Sequence, residues 1–305
     1  MNDMKNGMKK DVGFYIKACV VCAAVTAVLW YIVWRVGYDT GLGVFNNRAV
    51  GIVTSVLTLL MALAAALPYF FGDRKAKVSE NALKSSSGAG AAGAFLAGCC
   101  MLVSGIIPIT GGQRGALAVV AAVLSVPGAA YFILVSLTGK PDGTALRVLV
   151  FFPVVWGVTE VLLNYFSVSR AINDPKKIIT EFIPIAIMLF VLCEARTRWG
   201  DCLFRAHVSG CGIAVLVGSV GLSVVADELT GILMRLLSNA GIPVSADIIA
   251  LQTNYGELAL GACGAATALY AFCRLRSLPD SADTLETVSA ADETEKEKNT
   301  NDTEV

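Results

Sequence analysis

Apolar residues form eight long runs between residues 14 and 273, and most polar residues lie between those runs. A bilayer core about 30 Å thick needs roughly 20 helical residues at 1.5 Å each, and the runs are about that long. The run 49–71 contains no charged residue, so it lacks the polar face of a soluble amphipathic helix. The pattern predicts an all-α, polytopic transmembrane helix bundle of about eight spans. The predicted spans are 14–36, 49–71, 88–110, 115–138, 146–168, 178–195, 207–226 and 255–274.

Composition supports a membrane protein and distinguishes the C-terminal segment from the rest of the chain. The chain is 55% hydrophobic and 16% charged, with a mean hydropathy of +0.66, whereas soluble domains carry about 25% charged residues. Residues 277–305 hold nine acids and two lysines and few large apolar groups. Such a segment cannot offset the entropy of ordering itself. We therefore predict a transmembrane bundle over 1–276, with the lipid bilayer as partner, and a disordered acidic cytoplasmic tail over 277–305.

The distribution of Lys and Arg predicts the orientation, because cytoplasmic loops carry the excess of basic residues. With the N-terminus in the cytoplasm, 15 basic residues of the bundle fall on the inner side and seven on the outer side. Both termini are therefore expected in the cytoplasm. The segment 169–177, with three basic residues, is the predicted outer loop that fits this rule least well. The longest connection, 227–254, contains two short amphipathic pieces and is expected either to lie along the outer interface or to re-enter the bundle.

The chain contains no recognisable catalytic, metal or cofactor motif. Its nine cysteines avoid the predicted outer loops and are expected to be free thiols. The single histidine, His207, cannot build a site of several histidines. Residues 88–93 match GxGxxG, but they follow a Lys/Ser loop instead of the strand that a phosphate cradle requires. Close helix packing explains these small residues better. We predict no enzyme activity, no cofactor, no metal and no nucleic-acid partner.

A few polar residues inside the apolar runs are the candidates for function. Glu160 lies well inside the fifth run and shares a helical face with Asn164. A charged side chain at mid-bilayer costs on the order of 2.5–3.5 kcal/mol on insertion scales, so such residues often mark a functional site. Asp227 ends a polar stripe on the seventh span, and Glu257 lies in the first turn of the eighth.

Two interpretations of these polar residues stay open. In the functional one, spans five to eight line a polar cavity open to the outside, and Glu160, Asn164, Asp227 and Glu257 bind a cation or a small polar solute. In the structural one, the same residues complete buried hydrogen bonds and ion pairs, with Arg170, Lys176 or Arg235 as partners.

One region resembles a known group of proteins. The stretch 153–200 contains PVVWG, LLNYFSVSRAINDPKKI and CEARTRWG: an aromatic-rich helix, an Asn/Asp-Pro turn, and a helix that ends in a basic-aromatic-glycine corner. It resembles a segment of uncharacterised multi-span membrane proteins of Gram-positive bacteria. The resemblance covers about one-sixth of the chain. It implies a bacterial plasma membrane and assigns no site residues.

The number of spans, the prolines within them and the buried Glu160 favour a transporter, or a transport-associated protein, for a small polar solute or cation. The alternative is a non-catalytic sensory or scaffold membrane protein that presents its acidic tail to a separate protein partner. A self-contained ATP-driven pump is excluded, because no part of the chain is large enough for a soluble nucleotide-binding domain.

Overall fold

A computed structural model describes residues 2–39, 44–45, 47–71, 78, 87–110, 115–138, 144–166, 175–200, 202–241 and 254–301, with side chains described only between 13 and 278. The elements are α1 (Asn2–Ile32), a π-helical turn (Val33–Gly37), β1 (Tyr38–Asp39), β2 (Val44–Phe45), α2 (Arg48–Phe71), α3 (Gly88–Thr110), α4 (Ala116–Thr138), α5 (Thr144–Leu149), α6 (Phe151–Phe166), α7 (Pro175–Arg198), α8 (Phe204–Asn239) and α9 (Tyr255–Asn301). The strands β1 and β2 pair antiparallel over two residues each.

Eight helical segments of the described chain are long and apolar enough to cross a membrane. They are Gly13–Gly37, Ala49–Phe70, Gly88–Thr110, Ala116–Leu137, Thr144–Phe166, Lys176–Arg198, Phe204–Asn239 and Tyr255–Leu278. A helix satisfies most of its backbone hydrogen bonds internally, as a lipid environment requires. The predicted all-α, eight-span bundle is confirmed, and the protein is a multi-pass integral membrane protein.

Helix α8 lies at the centre of the bundle. It packs against α1, α2, α7 and α9, while α9 also packs against α3. The helices α3, α4, α6 and α7 continue the bundle, each packed on the next. Burial follows this arrangement, since 78% of the most apolar window of α8 is buried against 17% for α2. Large apolar side chains such as Val53 and Leu60 on α2 are exposed and face the lipid.

Small residues allow α8 and α9 to approach closely. A Cβ atom added at Gly221 of α8 would lie 2.5 Å from the carbonyl oxygen of Gly261 on α9. A Cβ atom at Gly218 would lie 2.6 Å from the carbonyl oxygen of Gly264. In lipid, where no hydrophobic force drives helices together, such backbone contact supplies much of the association energy. Gly218 and Gly221 therefore serve the packing of the seventh span against the eighth.

The first half of the connection 227–254 is helical and continuous with the seventh span. Helix α8 runs without a break to Asn239 and is 36 residues long, which is about 54 Å at 1.5 Å per residue. The piece 227–239 therefore does not turn back into the bundle, and the helix is longer than a bilayer core of about 30 Å. The second amphipathic piece lies outside the described residues.

The segment 169–177 also differs from its prediction as a loop. Helix α7 begins at Pro175, a residue favoured in the first turn of a helix because its missing N–H would be unpaired there. Lys176 and Lys177 are consequently helical, and both are buried. Prolines 68, 108, 127 and 184 lie inside continuous helices. At the other end of the chain, the α9 backbone continues to Asn301, and the predicted disorder of 277–305 stays a prediction.

Candidate functional site

Glu160 lies on the buried face of α6, which also carries Pro153, Trp156, Gly157 and Thr159. The Glu160 side chain is 8% exposed. Its Oε1 accepts a hydrogen bond from Ser104 Oγ of α3 at 3.4 Å. Its Oε2 is buried and has no hydrogen-bond partner in the described part of the chain. No Lys or Arg with a described side chain forms an ion pair with it, so the carboxyl group is a candidate site for a proton or a cation.

Trp156 adds a second unsatisfied polar atom one turn before Glu160. Its indole ring is fully buried, and its Nε1–H has no described hydrogen-bond partner. A buried donor and a buried acceptor thus occur four residues apart on one helix. Each such group costs about 1–3 kcal/mol when it stays unpaired.

Asn164 faces α7 and not Glu160. Its Nδ2 donates to Glu181 Oε1 at 3.3 Å and to the backbone carbonyl of Lys177 at 3.4 Å. The Lys177 ammonium group in turn donates to the backbone carbonyl of Tyr165 at 3.1 Å. These bonds hold the C-terminal part of α6 against the first turns of α7.

Asp227 and Glu257 meet in a separate group of charges at the N-terminal end of α7. Lys176 Nζ lies 3.1 Å from Asp227 Oδ2, 3.1 Å from Glu228 Oε1 and 3.6 Å from Glu257 Oε2. Arg35 Nε lies 3.0 Å from Asp227 Oδ1. We call these five residues the Lys176 cluster. It joins α7, α8, α9 and the π-helical turn, and it contains three carboxylates and two cations.

Neighbouring groups complete the Lys176 cluster. The backbone N–H of Asn254 donates to Glu228 Oε2 at 3.1 Å, and Asn254 Nδ2 donates to Glu257 Oε1 at 2.9 Å. The Lys176 ammonium group lies 6.0 Å from the centre of the Trp34 ring, within the range of a cation–π attraction. Of the partners expected for these acids in the structural interpretation, the structure brings Lys176 to them, while Arg170 lies outside the described residues.

A second buried group of charges lies at the C-terminal end of α7. Glu194 is fully buried and accepts hydrogen bonds from the hydroxyl groups of Tyr131 and Tyr270. Arg274 Nε lies 3.3 Å from Glu194 Oε1, and Arg198 donates to the Tyr131 hydroxyl at 3.4 Å. We call these five residues the Glu194 cluster. It joins α4, α7 and α9 and contains one carboxylate and two cations.

The Glu194 cluster was not predicted from the sequence. Arg198 and Arg274 lie near the ends of spans and count among the 15 basic residues expected on the inner side. The structure buries both side chains, at 1% and 3% exposure. A signal was present in the helical spacing: Glu194 and Arg198 are four residues apart on α7, and Tyr270 and Arg274 are four apart on α9. An acid near the end of a span is usually a surface charge, so this spacing did not predict that Glu194 is buried.

The four predicted site residues do not form one site. Glu160 contacts Ser104, Asn164 contacts Glu181, and Asp227 and Glu257 belong to the Lys176 cluster. A groove of about 320 Å³ between α2 and α7 is lined by apolar side chains that include Ile52, Val56 and Ile179. None of the four predicted residues lines this groove. Among the four, Glu160 is the one that has an unsatisfied buried atom and no ion pair in the described part of the chain.

A group of thiols and the histidine lies between α7 and α8. His207 Nδ1 is 3.2 Å from Thr197 Oγ1. Hydrogen bonds from Cys193 and from His207 lower the pKa of the nearby Cys202 thiol. All nine cysteines are free. Within the described residues, no group of three or more His, Cys, Asp or Glu side chains is placed to hold a metal ion.

Comparison of the chain with protein-family models, with curated proteins and with solved structures gives no match. Function is therefore inferred from the geometry of the chain itself.

Proposed function

We propose that this protein is a transporter, or a transport-associated protein, for a small polar solute or cation, and that Glu160 is its binding group. The observation that carries the proposal is the unsatisfied Oε2 atom of Glu160 in the interior of a membrane bundle. A carboxyl group without a cation partner in lipid either holds a proton or binds a cation, and both states are useful in transport.

The surroundings of Glu160 support the same function. Trp156 supplies an unsatisfied donor on the same helix. Ser104 supplies a further polar atom from α3, and α7 packs against the same face of α6 at Gly157. A site bordered by several helices changes its shape when those helices move. A transporter requires such a change, whereas a purely structural hydrogen bond does not.

The proposed setting is the plasma membrane of a bacterium, with both termini in the cytoplasm. It is supported by the excess of Lys and Arg on that side and by the resemblance of 153–200 to Gram-positive membrane proteins. In this orientation the Lys176 cluster faces outward and the Glu194 cluster faces inward. Side-specific reporters fused to Val305 and to loop 169–174 test the orientation, and a cytoplasmic signal from that loop would reverse it.

A thermal-shift scan of the purified protein tests the role of Glu160. Wild type, Glu160→Gln and the matched control Glu181→Gln are scanned from pH 5 to 8 and against Na⁺, K⁺ and Mg²⁺. A cation at 100 times its Kd stabilises the folded protein by about 2.7 kcal/mol. The response of wild type to pH or to a cation should disappear in Glu160→Gln and persist in Glu181→Gln. A response that is unchanged in Glu160→Gln would remove Glu160 from the site.

The second candidate function is a scaffold that presents the acidic tail to a separate protein partner. It is favoured by the continuation of α9 to Asn301, which would place seven of the nine acids of 277–305 on one helix. Deletion of 279–305 separates the two candidates. A transporter with Glu160 as its site keeps its response to pH or cation after the deletion, whereas a scaffold loses its partner.

A further inference from the structure

Two buried ion-pair clusters close the bundle at opposite ends of the same two helices. Lys176 on α7 pairs with Glu257 on α9, and Glu194 on α7 pairs with Arg274 on α9. Lys176 and Glu194 are 18 residues apart, about 27 Å along a helix, and Glu257 and Arg274 are 17 residues apart, about 26 Å. The helices α7 and α9 are therefore parallel, and the distance between the clusters is close to the thickness of the bilayer core.

Glu160 lies between the two clusters. Gly157, one turn earlier on α6, packs against α7 at Pro184, where an added Cβ would lie 3.3 Å from the carbonyl oxygen. Asn164, one turn later, contacts Glu181. Glu160 is thus level with the part of α7 between residues 181 and 184, beyond Lys176 and before Glu194. On α9, Cys263 lies between Glu257 and Arg274, and its thiol donates to the Ala97 carbonyl of α3 at 3.5 Å.

Both clusters consist of polar side chains, as is expected of contacts between helices that separate during transport. The Lys176 cluster carries one excess negative charge and the Glu194 cluster one excess positive charge, when the described ionisable groups are counted as charged. Neither cluster is an apolar core, and replacing buried ion pairs by apolar residues of similar volume is often neutral or stabilising. Ion pairs that join helix ends can exchange partners or water when the helices separate.

We infer that the Lys176 and Glu194 clusters are the two gates of the transport path to Glu160, and that each blocks access from its own side of the membrane. The inference rests on the proposed function. Opening the Lys176 gate separates α7 from α8 and α9 and admits the solute from the outer side. Opening the Glu194 gate separates the other ends of α7 and α9 and releases the solute to the inner side.

The native thiol of Cys263 reports on access to the interior of the bundle, because it is fully buried and lies on α9 between Glu257 and Arg274. A membrane-impermeant maleimide is applied to intact cells for the outer face and to inverted vesicles for the inner face. The protein is then denatured, the remaining thiols are blocked with N-ethylmaleimide, and labelling of the Cys263 peptide is measured by mass spectrometry. The full chain with all nine cysteines is used throughout.

Lys176→Gln is expected to raise the labelling rate of Cys263 at least tenfold from the outer face and to leave the inner rate unchanged. Arg274→Gln should do the reverse. The matched controls are Lys177→Gln, whose ammonium group donates to the Tyr165 carbonyl, and Arg276→Gln, which is exposed on α9. Both controls change the charge by the same amount, and both should label at the wild-type rate from either face.

If the loss of a charge prevents a variant from folding, a milder variant of the same cluster still tests the gates. Glu257→Gln and Tyr270→Phe each remove one link of a cluster and should give smaller increases from the same faces. A folded variant that labels faster from both faces, or a set of folded variants with no change from either face, overturns the gates. If the pH or cation response still depends on Glu160 in that case, the proposed function stands and only the gates are wrong.

Discussion

Ser104 on α3 donates a hydrogen bond to Glu160 on α6, and this is the one hydrogen bond that the described residues give to that carboxyl group. It connects two helices near the level at which we place the solute site. A side-chain hydrogen bond between membrane helices contributes about 0.6 kcal/mol on average, so this bond positions Glu160 more than it stabilises the fold.

The first prediction is a coupling between Ser104 and Glu160. Ser104→Ala should destabilise the protein by about 0.6 kcal/mol, and the double variant with Glu160→Gln should lose less than the sum of the two single variants. Unfolding in mixed micelles measures all four proteins. Ser125→Ala is the control, because the buried Ser125 hydroxyl donates to the Ala122 carbonyl of its own helix. Additive effects at Ser104 and Glu160 would contradict the bond.

The second prediction concerns the Glu194 cluster. Glu194→Leu should cost about 3–5 kcal/mol of unfolding free energy, because it leaves two buried guanidinium groups without their carboxylate. Glu181→Leu, at a partly buried carboxyl on the same helix, should cost much less. Chemical unfolding in detergent measures both. Equal effects of the two variants would mean that Glu194 does not compensate Arg198 and Arg274.

The eight spans could be predicted from the sequence because length and hydropathy alone decide whether a helix crosses a bilayer. The site could be predicted only in part. Glu160 was identifiable because an acid deep inside an apolar run has no local explanation. The partners of Asp227 and Glu257 depend on which helices are neighbours, which hydropathy does not encode. The burial of Arg198 and Arg274 depends on Tyr131, which lies 67 residues before Arg198.

The third prediction tests the contact between α8 and α9. Gly221→Leu should destabilise the bundle by about 1–3 kcal/mol or more, because the added side chain meets the backbone of Gly261 and forces the helices apart. Gly231→Leu is the matched control on the same helix, since no atom lies within 4 Å of a Cβ atom added there. Thermal unfolding of both variants in one detergent makes the comparison. A harmless Gly221→Leu would show that the close approach is not needed.

The fourth prediction concerns the residue at which the folded bundle ends. Leu275 and Leu278 are buried in the core, so truncation after Leu278 should change the thermal midpoint little. Truncation after Arg274 removes both leucines and should lower it clearly, since each buried leucine contributes roughly 1.5–3 kcal/mol. A large loss from the longer truncated protein would show that the acidic tail packs against the bundle.

The fifth prediction concerns Cys202. Its lowered pKa means that its thiolate persists at pH values where an ordinary thiol is protonated. Alkylation of Cys202 by iodoacetamide should therefore decline less between pH 8 and pH 6 than alkylation of a short cysteine-containing model peptide in the same solution. His207→Gln removes one source of the shift and should restore a steeper decline. Mass spectrometry of the two peptides measures both, and identical pH profiles in wild type would contradict the prediction.

The opposite order of charges on α7 and α9 determines how a membrane voltage acts on the bundle. Helix α7 carries Lys176 at one end and Glu194 at the other, whereas the parallel α9 carries Glu257 and Arg274 in the reverse order. Moving one elementary charge across 100 mV changes the energy by about 2.3 kcal/mol. Within the two α7–α9 pairs, a joint shift of both helices does no net electrical work, because each cation travels with an anion. A rigid shift of α9 alone does none either, because Glu257 and Arg274 carry opposite charges over the same distance. Voltage acts on these charges when one end of α9 moves without the other, so separation of the Arg274–Glu194 pair with Glu257 in place is the step that it influences.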